Sequence, residues 1–182
     1  DFPVSNDKEP DEPVLWKEDL RHMSDELLSK LIAKYGDSIL RMCYLYLKDY
    51  HLAEDVVQET FIQVYNHYDS FRHQSSVKTW IIRIAINLCR NQMRTRWFSL
   101  GRVDEFPILP CSEAYDGMLE HERLLAEIGR LKPHYREVIL LFYYQELTVK
   151  EIASLQGKKE STVKQRLKRA REQLRKALKE EF

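Results

Sequence analysis

The chain has 182 residues, 43% of them hydrophobic and 32% charged, which fits one globular domain or two small ones with buried cores. Its 29 basic and 29 acidic side chains cancel to a formal net charge of zero. Acidic residues are nevertheless frequent near the N-terminus and basic residues in 158–179, so nucleic acid is not excluded as a partner. Only 5 glycines and 3 widely spaced cysteines are present, which argues against a glycine-rich phosphate loop and a disulfide framework. No segment has the length and hydrophobicity of a membrane span or a signal peptide, and we expect a cytoplasmic protein without membrane insertion.

The first half of the chain shows helical periodicity after an acidic start. Residues 1–22 contain many carboxylates and several prolines, and we expect a disordered or loosely docked tail. Three amphipathic helices are predicted in 23–96, and Cys43 and Cys89 fall on their apolar faces, where we expect them to fill the core. The apolar face of the second helix comprises Ala53, Val56, Val57, Thr60, Phe61, Val64, Tyr65 and Tyr68.

Glycines, prolines and carboxylates interrupt this pattern in 97–117, which we interpret as an acidic linker between domains. Helical periodicity returns in 118–182, where Pro133 begins a new helix. Thr148 followed three residues later by Glu151 predicts a capping box at the start of another. No strand pattern is visible. The predicted fold is all-α, with two small helical domains joined by an irregular acidic linker.

The segment Leu147–Lys176 has the spacing of a helix-turn-helix. Ala153 is small enough to let a second helix cross closely, Gly157 suits the tight turn, and Val163 anchors the second helix from below. In DNA-binding proteins the second helix of this motif enters the major groove. The spacing therefore indicates duplex DNA as a partner.

The last predicted helix is strongly basic on the faces that its apolar stripe leaves free. Side chains early in a recognition helix reach base edges, whereas flanking cations more often hold phosphates. The candidate base readers are Lys164, Gln165, Lys168 and Arg169, and the candidate phosphate clamps are Lys158, Lys159, Arg166 and Arg171. A solvated basic face on a surface helix is the alternative.

The second predicted helix carries an acidic and amide-bearing face made of Asp55, Gln58 and Glu59. One interpretation is a docking surface for a basic partner, because charged pairs set orientation and association rate. A metal site that adds His51 and Glu54 is another, but the Glu-x-x-His motif of metal-binding bundles is missing. The third is a solvated face without a function.

A polar stripe on the third predicted helix lies opposite its apolar face and comprises Arg83, Asn87, Arg90, Asn91 and Arg94. Arginine contacts phosphates, and the amide of asparagine pairs with base edges. The polar loop 71–78 before this helix contains His73 and Gln74 and is flanked by aromatic residues, which suit unstacked bases. For Phe71 and Trp80 we favour a role as core anchors over base stacking.

The segments LAEDVVQETF, FRHQSSVKTWIIRIAINLCRN and VKEIA followed by STVKQRLKRAREQLRKAL resemble extracytoplasmic-function sigma factors of bacterial RNA polymerase. The resemblance runs from about residue 27 to residue 178. It implies that Asp55, Gln58 and Glu59 dock on the clamp helices of the polymerase β-prime subunit, and that the linker threads toward the active centre. Further roles follow for two sets of residues. The −10 element would be held by Asn87, Asn91, Arg83, Arg90, His73 and Gln74, and the −35 element by Lys164, Gln165, Lys168, Arg169, Arg166 and Arg171.

The resemblance also implies contact with the polymerase β subunit and regulation by an anti-sigma factor. Two other functions remain open from the residues alone. An ordinary helix-turn-helix regulator would bind duplex DNA without polymerase, and a helical metalloenzyme would use the carboxylates of the second helix. We find no catalytic constellation and no P-loop, and expect no enzyme activity, no cofactor and no metal.

Overall fold

The computed structural model describes residues 23–100 and 119–179, which are helical with short connections and contain no strand. The all-α prediction is confirmed. The N-terminal half contains α1 (Asp25–Leu47), α2 (Tyr50–His67), a 3-10 turn (Tyr68–Ser70) and α3 (Val77–Leu100). The C-terminal half contains α4 (Leu119–Arg130), α5 (Pro133–Ile139), a π turn (Leu140–Tyr144), α6 (Val149–Gln156) and α7 (Glu160–Lys179). The acidic tail predicted for 1–22 lies outside the described residues.

Helix α3 continues to Leu100, four residues into the segment 97–117 that the sequence pattern assigned to a linker. The rest of that segment lies outside the described residues, so the linker and its carboxylates stay a prediction.

Local capping explains where the N-terminal helices begin. Ser24 Oγ accepts a hydrogen bond from Leu27 N at 3.1 Å, and Asp49 Oδ1 accepts one from Leu52 N at 3.0 Å. Both contacts satisfy donors that the first helical turn leaves free. Between these caps, Lys48 ends α1 in the left-handed region, with φ 57°.

The N-terminal core lies between α1, α2 and α3 and is apolar. Its fully buried side chains include Leu31, Ile39, Met42, Leu47, Val56, Ile81, Ile82 and Ile86. Cys43 and Cys89 are also buried, as predicted. Tyr65 does not join this core: the prediction that placed it on the apolar face of α2 is wrong, since 44% of the residue is exposed.

The buried apolar residues of the C-terminal half belong to the same hydrophobic cluster, and there α7 packs against α4, α5 and α6. Val163, Leu167, Ala170 and Leu174 lie on the buried face of α7. Their spacing of three or four residues keeps them on one side of the helix.

The two halves contact each other. Helix α1 packs against α4, α5 and the π turn, and several hydrogen bonds cross between the halves. This arrangement decides which of the predicted site residues are accessible.

Candidate functional site

The helix-turn-helix has the local geometry that its sequence predicts. Thr148 Oγ1 accepts from Glu151 N at 3.2 Å while Glu151 Oε2 accepts from Thr148 N at 2.8 Å, which completes the capping box. Gly157 makes the turn with φ 60° and ψ 39°, and Ala153 and Val163 are buried where α6 and α7 meet. The motif therefore holds α7 at a fixed angle with one face outward.

The outward face of α7 is basic and largely free. Most of the predicted DNA-binding side chains on it are exposed: Lys164, Gln165, Lys168, Arg169 and Arg171. Arg166 differs, because it is partly buried and donates to Gln156 Oε1 at 3.1 Å. Lys168 Nζ lies 4.0 Å from a carboxylate oxygen of Glu172, a contact between exposed side chains that contributes little.

The predicted docking face of α2 is exposed at all three positions, Asp55, Gln58 and Glu59. Glu59 Oε1 accepts a hydrogen bond from Gln63 Nε2 at 3.0 Å, which orients the carboxylate along the helix. The same face continues into an apolar surface, since Ile62 is 53% exposed. Sequence reasoning missed this extension, although Ile62 follows Asp55 by two helical turns.

A metal site on α2 finds little support. His51 Nδ1 lies 3.6 Å from a carboxylate oxygen of Glu54, and both side chains are open to solvent. Within residues 23–100 and 119–179, no group of three or more His, Cys, Asp or Glu side chains is arranged to hold a metal ion.

The polar stripe of α3 divides into a free part and an engaged part. Asn87, Asn91 and Arg94 are exposed, and Arg94 donates to Asn91 Oδ1 at 3.4 Å. Arg83 is partly buried, and its Nε has no hydrogen-bond partner in the part of the chain that the structure describes. Arg90 is held by a residue of the C-terminal half, as described below.

The loop before α3 and the first turn of α3 bring three aromatic rings together, and one of them, Trp80, also packs against the core. The rings of Phe71 and Trp80 stack with centroids 4.7 Å apart and planes at 24°, and the ring of His73 lies 4.6 Å from that of Phe71. Phe71 and Trp80 are only partly buried, so the prediction of core anchors holds in part. His73 adopts φ 52°, a conformation that costs energy outside glycine, and the neighbouring Gln74 is exposed.

Tyr68 lies beneath these rings and is buried. Its hydroxyl has no hydrogen-bond partner among the described residues, and burial raises the pKa of the Tyr68 phenol.

A carboxylate from the C-terminal half engages the polar stripe of α3. Glu137 is 4% exposed, and its oxygens accept from Arg90 Nε at 3.0 Å and Arg90 Nη2 at 2.5 Å. Tyr46 Oη donates to Glu137 Oε2 at 3.2 Å, and Gln156 Nε2 donates to Glu137 Oε1 at 2.7 Å. We call these four residues the Glu137 cluster. The hydrogen bonds that Arg90 donates to Glu137 raise the pKa of the Arg90 guanidinium. Burial, and after it the negative charge of Glu137, raise the pKa of the Tyr46 phenol.

The two halves of the chain each match a known family of protein domains. Residues 31–99 match Sigma-70 region 2, and residues 121–174 match Sigma-70 region 4. The chain belongs to the extracytoplasmic-function sigma factors. It is 32% identical over 169 residues to the sigma factor SigW of Bacillus subtilis, with 85% of this chain and 90% of SigW covered. It is 31% identical to SigM of the same bacterium, with 81% and 93% covered.

Solved structures agree with this fold. The sigma factor RpoE of Bartonella quintana, in complex with the anti-sigma factor NepR, has a TM-score of 0.74 at 24% identity, covering 87% of this chain and 100% of that one. CnrH, in complex with the cytosolic domain of CnrY, has a TM-score of 0.65 at 21% identity, covering 87% and 92%. The chain is thus a sigma-70 type transcription initiation factor that directs RNA polymerase to promoters. In the described ranges, no helix is long and apolar enough to cross a membrane.

Proposed function

We propose that this sigma factor acts as a specificity subunit without catalysis of its own and recognises both promoter elements. The observation that carries the proposal is the exposure of a basic helix-turn-helix face and an acidic α2 face on one chain. A simple duplex-binding regulator needs the first face and has no use for the second. Segments 23–96 and 118–182 would be the two functional domains, with 97–117 connecting them.

Core polymerase is the partner of the α2 face in this proposal. Asp55, Gln58 and Glu59 would dock on the β-prime clamp helices, with further contact to the β subunit. Two carboxylates and an amide match a basic surface, and the exposed Ile62 supplies apolar contact beside them.

The −35 element would lie as duplex against α7. Lys164, Gln165, Lys168 and Arg169 are exposed on the turns of α7 that follow Gly157, where recognition helices contact bases. Arg171 would hold phosphate directly, whereas Arg166 would have to release Gln156 first.

The −10 element would be held as an opened strand by α3 and its preceding loop. The stacked rings of Phe71 and Trp80 offer a surface for an unpaired base, next to His73 and Gln74. Asn87 and Asn91 would contact base edges, while Arg83 and Arg90 would contact phosphate.

The sigma factor RpoE of Bartonella quintana was solved in complex with the anti-sigma factor NepR, and we infer that a protein of this kind also regulates this chain. We further infer that the protein works in the cytoplasm, where RNA polymerase acts, and that it requires no cofactor or metal.

Transcription in vitro tests the proposal. Core polymerase, this protein and fragmented DNA of the source genome are combined, and the 5′ ends of the transcripts are mapped by sequencing. We expect starts that depend on the protein and share two upstream elements. Duplex binding by the protein without any new start would favour the ordinary helix-turn-helix regulator instead.

A further inference from the structure

The two halves share apolar packing, and the buried carboxylate of Glu137 is hydrogen-bonded across their interface. This carboxylate is buried, and it binds the Arg90 guanidinium through both oxygens. A carboxylate in this geometry presents the same pair of acceptors to arginine as a DNA phosphate does.

Three further hydrogen-bonded contacts join the halves near the Glu137 cluster, and in the first of them the buried Arg136 donates from Nη1 to Tyr46 O. Gln145, 1% exposed, donates from Nε2 to Ser38 O at 3.0 Å, and Ser38 Oγ donates to its Oε1 at 3.2 Å. Thr79 Oγ1 donates to Glu151 Oε1 at 3.2 Å, so the capping box of α6 also contacts α3. The π turn gives Gln145 its position, because Gln145 N donates to Leu140 O.

Such an interface is able to separate. A buried ion pair returns little net stability after desolvation, and polar interfaces between domains resemble those of transient complexes. The hydrogen-bonded groups that part here find water or nucleic acid as replacement partners.

We call the chain closed when its two halves are in contact, as they are in this structure. The closed chain affects the −10, −35 and polymerase surfaces unequally. It engages Arg90 of the −10 surface, while Lys164, Lys168 and Arg169 of α7 and the α2 face stay exposed. We propose that Glu137 is an internal competitor of DNA phosphate, which occupies Arg90 of the −10 surface in the closed chain and leaves the −35 and polymerase surfaces available.

This inference rests on the proposed assignment of Arg90 to the −10 surface, and the tests separate the two. The first test is Glu137→Gln, which keeps the size of the side chain and removes its charge. The matched control is Glu127→Gln, which removes a carboxylate from the same half. Glu127 pairs with Arg130 on its own helix and touches neither Arg90 nor α3 through that contact.

Binding is measured by fluorescence anisotropy with the full-length chain and two probes from a mapped promoter, the −10 single strand and the −35 duplex. If the closed form exceeds the open form about tenfold, opening raises affinity for the strand by about tenfold. We expect this gain for Glu137→Gln with little change for the duplex, and no gain for Glu127→Gln. Unchanged strand affinity in a folded Glu137→Gln protein would overturn the proposal, as would an equal gain for both probes.

The second test locks the closed form and does not depend on how Glu137→Gln folds. Cysteines replace Ser38 and Gln145, Cys111→Ser removes the cysteine outside the described residues, and a short cleavable bifunctional thiol reagent joins the pair. We expect the cross-linked chain to lose strand binding and to keep duplex binding, with recovery on cleavage of the reagent. A cross-linked chain that still binds the strand fully would show that Arg90 is not masked.

Small-angle X-ray scattering distinguishes failure of this inference from failure of the proposed function. An increased radius of gyration in Glu137→Gln, with no strand binding by any variant, would reject the −10 assignment but keep the role of Glu137 in closing the chain. An unchanged radius together with normal promoter binding would reject that role of Glu137 alone.

Discussion

Replacing Gly157 by alanine tests the turn of the helix-turn-helix without adding a steric clash. Gly157 has φ 60°, in the left-handed region, where it ends α6 and its N–H donates to the carbonyls of Ala153 and Ser154. A Cβ added at this position meets no heavy atom of the described residues within 4 Å. The whole effect of Gly157→Ala is therefore one of backbone conformation.

The expected magnitude is the difference between two effects. Placing alanine in the left-handed region costs about 1–2 kcal/mol. Alanine also restricts the unfolded chain, which returns about 0.4–1 kcal/mol. We expect Gly157→Ala to lower the free energy of unfolding by about 1 kcal/mol.

Gly36→Ala is the matched control, because it makes the same chemical change inside a helix. Gly36 lies within α1, and an added Cβ would come no closer than 3.6 Å to Ile32 Cγ2, an ordinary van der Waals contact. Since alanine is favoured over glycine in a helix interior by about 0.5–1 kcal/mol, we expect Gly36→Ala to stabilise.

Urea denaturation followed by circular dichroism measures both variants against the parent protein. The unfolding midpoint moves in opposite directions for the two substitutions if backbone conformation decides the outcome. A Gly157→Ala protein as stable as the parent would refute the reasoning, because nothing besides φ distinguishes this position. Destabilisation by Gly36→Ala would instead show that the α1 packing is tighter than its contact distance indicates.

Four further substitutions probe the surfaces and the caps. Thr148→Val removes the capping box and should cost about 1 kcal/mol in urea denaturation. Asp55→Asn should weaken binding of core polymerase in a pull-down titration and leave duplex binding intact, and loss of both would indicate misfolding. Lys164→Ala should cost about 1–3 kcal/mol of −35 duplex affinity if its side chain reads a base, with specificity relaxed at one position. Burial, then the charges of Arg136 and Arg130, lower the pKa of Lys48 from 10.5 to about 8. Between these values the unfolded chain binds more protons, so stability should rise with pH from about 8 to about 10 relative to Lys48→Gln, and parallel profiles would contradict this.

Local signals in the sequence were sufficient for the helix-turn-helix. Gly157, the capping box of Thr148 and Glu151, and the buried Val163 each depend on neighbours within a few residues. Turn conformation and capping follow from such short-range chemistry, so their prediction needs no knowledge of the rest of the fold. The all-α class followed for the same reason, since periodicity of apolar residues is also local.

Contacts between distant segments were not predictable in this way. Glu137 and Arg90 are 47 residues apart, and nothing in the sequence around Glu137 in α5 indicates that Arg90 is its partner. The prediction for Tyr65 was wrong for a related reason. Its spacing agrees with the apolar face of α2, but whether a neighbouring helix covers that position depends on how α1 and α3 pack. The functional roles of the exposed residues stay predictions.

The contact between Glu137 and Arg90 in the closed chain implies an order in which the surfaces of this sigma factor bind their partners. Equal numbers of acidic and basic side chains give the chain no net attraction for DNA, so binding must come from basic surfaces that become available locally. If the closed form is favoured about tenfold, masking weakens strand binding by about 1.4 kcal/mol, an amount that a few phosphate contacts overcome. The cost is small enough for an opened promoter strand to reverse and large enough to disfavour binding to stray single strands. A sigma factor built this way would engage polymerase and the −35 duplex first, and Arg90 would become available where a melted strand competes directly with Glu137.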